Sequence, residues 1–300
     1  AILANSGHRD GSVYAVSGGW HQRYRISDRN ETGLEPMTLS DPSNCCPDRE
    51  NCFIHTPRPM MQIFSVKLGK LLEEDGPVQL YGYIATRDLL DPLVNYIVNR
   101  SRDDPIIVYQ GSLIEMTGPK RGIEMQSAVL IEYDLRIKKG EHEVDDLQLI
   151  DGISDFSELA TPTCKPFLNR IDGAGGGVDI TLAMLSEAVE ATIEVDITQV
   201  HGSGFRLLLS SYVGGLERER EEIHVFRGVI SEACGMRRFG VAAAIDTWMR
   251  VKFKVTDGSG GSTSEVERHA SFKASMHGCA SQQMELDQAS ITVKVTWSTL

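Results

Sequence analysis

The chain has no apolar run long enough to cross a membrane as a helix. Its longest stretches, such as Val241 to Ile245, fall far short of the roughly 18 residues a spanning helix needs. It also has no excess of basic charge, since 30 Lys and Arg stand against 42 Asp and Glu for a net charge of −12. Binding through a phosphate backbone needs concentrated bases, so this balance argues against nucleic acid as the main ligand. The opening Ala1-Ile2-Leu3-Ala4 lacks the basic and apolar regions of an intact signal peptide. Cysteine is sparse: Cys45, Cys46 and Cys52 cluster, while Cys164, Cys234 and Cys279 stand alone. A chain of this length buries a core without disulfide or metal staples, and the pattern fits a reduced, cytoplasmic compartment. The triplets Asn30-Glu31-Thr32 and Asn99-Arg100-Ser101 arise too often by chance to establish glycosylation.

What is present is alternation. Residues 1–58 read as an irregular arm, rich in Gly, Ser, Asn, Asp and Arg, whose Trp20, Tyr24 and Phe53 suggest that parts of it dock on the body. From Met60 onward, alternate side chains change character with a period of two, which places them on opposite faces of a sheet. Ile131, Tyr133, Leu135 and Ile137 oppose Glu132, Asp134 and Arg136, and Ile193, Val195 and Ile197 oppose Glu194 and Asp196. Met249, Val251, Phe253 and Val255 likewise oppose Arg250, Lys252 and Lys254. Gly-rich turns separate these runs, at 118–122, 202–204, 214–215 and 257–262. Short strands at this spacing predict an all-β fold, mainly an antiparallel sandwich with at most a few short helices.

Residues 178–189 also suit a helix, as do 86–98, although Asp91-Pro92 within that stretch and Asp104-Pro105 beyond it favour turns. The expected organisation is a β-rich unit at 59–152, a linker at 153–176 and a sandwich-like unit at 177–300. Strand 190–197 presents acids outward and strand 248–255 presents bases, so the two are expected to be neighbours in one sheet.

Several constellations invite chemistry. Cys45, Cys52 and His55 carry ligands proper to tetrahedral zinc, although an oxidisable loop is the simpler reading because no second Cys-x2-Cys knuckle accompanies them. Lys120 and Arg121, in the turn from Gly118 to Gly122, offer cations beside open backbone amides for an anion, or form a solvated hairpin tip. His201-Gly202-Ser203-Gly204 lacks the strand-turn-helix setting of an esterase nucleophile and reads as a turn. Gly173 to Gly177 lacks the Gly-Lys-Ser/Thr ending of a phosphate loop and reads as a flexible linker. No cofactor is indicated.

Met61 to Leu68, Leu80 to Asp88, Asp91-Pro92-Leu93 and Leu113 to Gly122, followed by Ile131 to Lys138 and Ser290 to Trp297, together resemble a domain of unknown function abundant in grasses. That domain occurs alone and also behind the toxin domain of jasmonate-induced ribosome-inactivating proteins. The resemblance spans roughly 60–300 and implies a plant stress or defence setting without carrying over any catalytic residue. The resulting expectation is a non-catalytic binding module for a protein, or for a carbohydrate held by aromatics such as Tyr81 or Tyr83, whose positions suit an exposed face and the core equally. The alternatives are an accessory partner of ribosome-inactivating proteins and a hydrolase assembled from distant loops.

Overall fold

Period-two alternation becomes strand almost wherever it occurs. The computed structural model describes residues 8, 18–31, 55–72, 76–217, 221–257 and 265–299. Among them there is no α-helix, only 3-10 turns at Gly18–Gln22 and Glu143–Asp145. In chain order the strands are β1 (Arg58–Leu71), β2 (Val78–Arg87), β3 (Asn95–Arg100), β4 (Ile106–Val108), β5 (Leu113–Ile114) and β6 (Ile123–Glu124). There follow β7 (Val129–Ile137), β8 (Leu147–Phe156), β9 (Phe167–Gly173), β10 (Gly176–Val200), β11 (Phe205–Val213) and β12 (Ile223–Ile230). The last are β13 (Cys234–Gly235), β14 (Phe239–Ala244), β15 (Trp248–Asp257), β16 (Glu265–Lys273), β17 (Gly278–Glu285) and β18 (Ala289–Ser298).

These strands form three sheets in which every pairing between strands is antiparallel. The nine-stranded sheet runs β17-β18-β10-β1-β5, with β6, β9, β13 and β14 attached to β1 or β10. The four-stranded sheet runs β12-β11-β15-β16, and the five-stranded sheet runs β3-β2-β7-β8 with β4 on β2. One hydrophobic cluster joins all three, containing Phe64, Leu135, Ile193, Phe253 and Val293, each fully buried. The fold is all-β. No helix among the described residues is long and apolar enough to cross a membrane.

Strand β10 is the spine. Its 25 residues span about 80 Å at 3.3 Å per residue. Its first half pairs with β1 and β9, its second with β14 and β18. Between the halves Ser186 and Glu187 are exposed and the β1 register slips. The helical alternative for 178–189 therefore gives way to strand, because Ile180, Leu182, Ala183 and Leu185 are all fully buried between covered faces. Likewise 86–98 holds no helix. Its loop is turned by the Asp88 carboxylate, which accepts the amides of Leu90 and Asp91, each at 3.1 Å, and β3 follows. The expected linker at 153–176 contains the end of β8 and all of β9, and Gly173 to Gly176 is a tight hairpin into β10. The β1–β10 ladder also ties the stretch before 152 to the stretch after 177.

Strands 190–197 and 248–255 lie in different sheets, which overturns the expected pairing. Each finds its opposite charges elsewhere: Glu194 meets Lys294 and Arg238, while Lys252 meets Glu222 and Lys254 meets Glu265. Glu190 does not point into water at all. It is 1% exposed, accepts the Gly122 amide at 2.6 Å, and burial pushes its carboxyl up to about 7.

Strands β2 and β7 approach unusually closely at Gly82, whose φ is 110° and whose missing Cβ would lie 2.1 Å from the Asp134 carbonyl oxygen. Any side chain there forces the two backbones apart and strains a left-handed φ. Gly82→Ala is expected to cost about 3 kcal/mol or more, read as a lower urea midpoint. An unchanged midpoint would show that the pairing tolerates a methyl group.

Candidate functional site

The outer face of the five-stranded sheet carries charge where water is excluded. Cross-strand register places Ala85 opposite Glu132, with Tyr83 and Arg87 as the diagonal neighbours of that carboxylate on β2. Such diagonals are within reach of long side chains. On the far side, β8 brings Asp151 and Ile153 beside Glu132, and β3 brings Tyr96. Arg87 and Glu132 are both completely buried, because residues of the N-terminal arm lie over them.

The arm is held by reciprocal bonds. Glu132 Oε1 accepts the Ser27 amide at 2.6 Å, the Tyr83 hydroxyl at 2.5 Å and His8 Nε2 at 3.1 Å, while Oε2 accepts Arg87 Nε at 2.8 Å. The rest of the Arg87 guanidinium donates to the Glu31 carboxylate, to the Arg25 carbonyl at 2.8 Å and to the Pro92 carbonyl at 3.2 Å. Glu31 in turn accepts the Val94 amide at 2.8 Å. His8 Nδ1 reaches Asp151 at 2.5 Å. Arg29 lies 4.9 Å from the centre of the Tyr83 ring and donates to Asn99, and Tyr96 donates to the Arg29 carbonyl at 3.0 Å. Beside this polar cluster, Tyr24 and Ile26 are buried against Leu130 and Ile153, with Trp20 packed at the edge. Apolar contact thus flanks a polar centre whose charged groups are paired, as buried charge demands, while the buried Tyr24 and Ser27 hydroxyls make no hydrogen bond.

Burial alone would lower the pKa of His8, but hydrogen bonds to the Asp151 and Glu132 carboxylates override it and raise the imidazole to about 9. Burial alone would raise Glu132, but the His8 hydrogen bond and the Arg87 charge override it and pull the carboxyl down to about 2. Burial and the Glu132 charge push the Tyr83 phenol well above its ordinary value, so it stays a donor. The cluster therefore holds charged Arg87, His8 and Glu132 together.

The residues singled out by sequence are distributed as follows. Tyr83 belongs to this cluster, and Tyr81 lies farther along the same face with its hydroxyl 2.6 Å from Asp146. Both are buried, at 2% and 6% exposure, so neither is the exposed aromatic platform expected for a sugar. Their outward strand positions are covered, Tyr83 by the arm. Arg121 is not a solvated base either. It donates to Asp88 and to the Asp91 carbonyl, each at 2.6 Å, and clamps the 88–91 loop next to Arg87. The Lys120 amide donates to Asn95 at 2.8 Å. Cys45 and Cys52 lie outside the described residues, whereas His55 sits 6.3 Å from the His277 ring. Among the described residues no group of three or more His, Cys, Asp or Glu could hold a metal ion.

Arg87, Glu132, His8 and Asp151 were not legible as a site. Glu132 occupies an outward position in a well-patterned strand, which reads as solvated. The available signal was the aromatic content of the arm, Trp20 and Tyr24, which pointed to docking but not to where.

The model of one family, "Domain of unknown function (DUF6598)", matches residues 60–296, and the chain belongs to that family. No curated protein matches its sequence. Among solved structures, human GIVD cytosolic phospholipase A2 is similar at 9% identity and a TM-score of 0.24, over 79% of this chain and 32% of that one. This chain thus spans about a third of the phospholipase chain's length. The paired C2 domains of Extended-Synaptotagmin 2 are similar at 11% identity and a TM-score of 0.26, over 87% of this chain and 99% of that one. Likeness at that level supports no functional argument.

Docking of the arm should depend on pH in two directions. His8 has a docked pKa above its ordinary 6.5, so its contribution is complete below about 6.5 and is lost as pH rises through about 9. Glu132 has a docked pKa below its ordinary 4.5, so its contribution is present above about 4.5 and is lost as pH falls through about 2. Trp20 fluorescence and protease resistance of the arm are expected to hold at mildly acidic pH and to fail near pH 9. A transition centred on an ordinary histidine value would contradict the clasp. Arg87→Met strands a buried carboxylate and should cost about 3–5 kcal/mol, measured by urea denaturation.

Proposed function

We propose that this DUF6598 member is a non-catalytic binding module that recognises a protein segment in a turn-rich conformation on the outer face of its five-stranded sheet. One observation carries the reading: residues 24–31 already lie on that face, held through Arg87 and Glu132. Both of those charges fall within the family's matched span of 60–296, whereas His8, Ser27 and Glu31 fall outside it. The receptor half is therefore part of the domain, and the occupant is an appended segment. The chemistry that fits is a carboxylate for Arg87, a free amide for Glu132, a cation over Tyr83 and two apolar side chains against Leu130 and Ile153. Burial of Tyr81 and Tyr83 favours a protein over a carbohydrate.

The resemblance of 61–122 to the grass domain supports placing this role in plant stress or defence. A ribosome-inactivating protein is then one kind of partner that could present such a segment. Free thiols at Cys164, Cys234 and Cys279 support a cytoplasmic, reducing setting. No observation favours the hydrolase alternative.

A tethered arm competes at high effective concentration, so the test weakens it first. A fluorescein-labelled peptide of residues 18–31 should bind the full chain carrying Glu31→Ala about tenfold or more tightly than it binds the unaltered chain, by anisotropy. Adding Arg87→Ala to that variant should abolish binding. Equal binding to all three chains, or none to any, would refute the reading.

A further inference from the structure

The four-stranded sheet has an outer face of different character. Its inner side chains, among them Leu207, Leu209, Val251 and Phe253, are buried in the common core. Outward, β11 presents Arg206 and Leu208, β12 presents Arg227 and Val229, and β15 presents Arg250, Lys252 and Lys254. These bases gather on a chain whose net charge is −12. Two of them are neutralised: Lys252 meets Glu222 at 2.6 Å and Lys254 meets Glu265 at 2.8 Å. Among the described residues, Arg206, Arg227 and Arg250 have no ion pair or side-chain hydrogen bond.

Arg206 and Arg227 are diagonal neighbours, since Arg206 pairs with Val229 and Leu208 with Arg227 across the ladder. Like charges at that spacing repel, and among the described residues no carboxylate forms an ion pair with either. They border a groove of about 620 Å³ whose walls include Leu208, Val229, Lys254 and Glu265. That volume suits a small ligand. Two unpaired guanidinium forks match phosphoryl oxygens bidentately, a geometry that point-like cations do not supply. The groove is open to water, where a single charge pair contributes little, so retention requires several negative charges on one compact molecule. Glu265 in the groove wall is neutralised by Lys254, whereas a flat anionic surface or a long polyanion would extend farther along β16, where Glu267 is exposed and would oppose it.

We infer that this groove is a binding site for a compact, soluble, multiply phosphorylated small molecule, held by Arg206 and Arg227. The site is separate from the arm-covered face and does not depend on it. The test is calorimetric titration of the full chain with inositol hexakisphosphate at physiological salt, alongside an Arg206→Ala/Arg227→Ala variant. Both substitutions are at exposed positions, and circular dichroism checks that the variant remains folded. Saturable binding, weakened about tenfold or more in the variant, is the expected result. Inorganic phosphate at the same concentration should not compete. Absent binding, equal binding by the variant, or displacement by inorganic phosphate would overturn the inference. So would binding confined to vesicles of anionic phosphatidylinositol bisphosphate, because the occupant would then be a membrane surface.

Discussion

A single carboxylate organises the covered face of this protein. Glu132 is fully buried, and a lone carboxylate there would be prohibitively desolvated. It is tolerated because four donors converge on it: the Arg87 guanidinium and Tyr83 hydroxyl from β2, and the His8 ring and Ser27 amide from the arm. Two donors are native to the sheet and two are supplied by a segment far away in sequence. Satisfying Glu132 therefore requires the arm to be in place, and the arm's position is specified by the geometry of the sheet. Buried charge of this kind contributes less to net stability than to the uniqueness of one arrangement. Here the arrangement it selects is where an appended segment lies.

The sheets divide the labour. The nine-stranded sheet, with β10 as its spine, supplies about half of the core, while the other two sheets pack into the same cluster and turn one face each away from it. Those outer faces differ in electrostatics and in cover. On one, opposite charges interlock beneath the arm and water is excluded. On the other, Arg206, Arg227 and Arg250 stand open. A sheet face is a rigid platform whose side-chain spacing is fixed by register, so each face can present a defined pattern without long loops.

Much of the fold was legible because one half of each strand faces the core. The alternation of Ile131, Tyr133 and Leu135, or of Val251, Phe253 and Val255, reports burial directly, and these side chains are buried. The other half of each strand was legible only as polar. Glu132, Glu190 and Arg250 read alike in sequence, yet the first lies under the arm, the second under the Gly122 loop, and the third in water. What covers an outward residue is decided by distant segments, and period-two patterning carries no such information. Strand pairing failed for the same reason. The acids of 190–197 and the bases of 248–255 are complementary, but each strand met other opposite charges first in its own sheet. Residues 178–189 misled in a different way, since a strand buried on both faces loses its alternation and can imitate a helix.

Hydrogen exchange at two amides tests the central claim most directly. Ser27 N–H is bonded to Glu132 and Val94 N–H to Glu31, one bond in each direction across the arm and the sheet. In the unaltered chain both amides should exchange slowly. In Glu132→Gln both should exchange quickly, while the Ile84 amide within β2 stays protected. Ser27 exchanging at the rate of a free peptide in the unaltered chain would contradict the account.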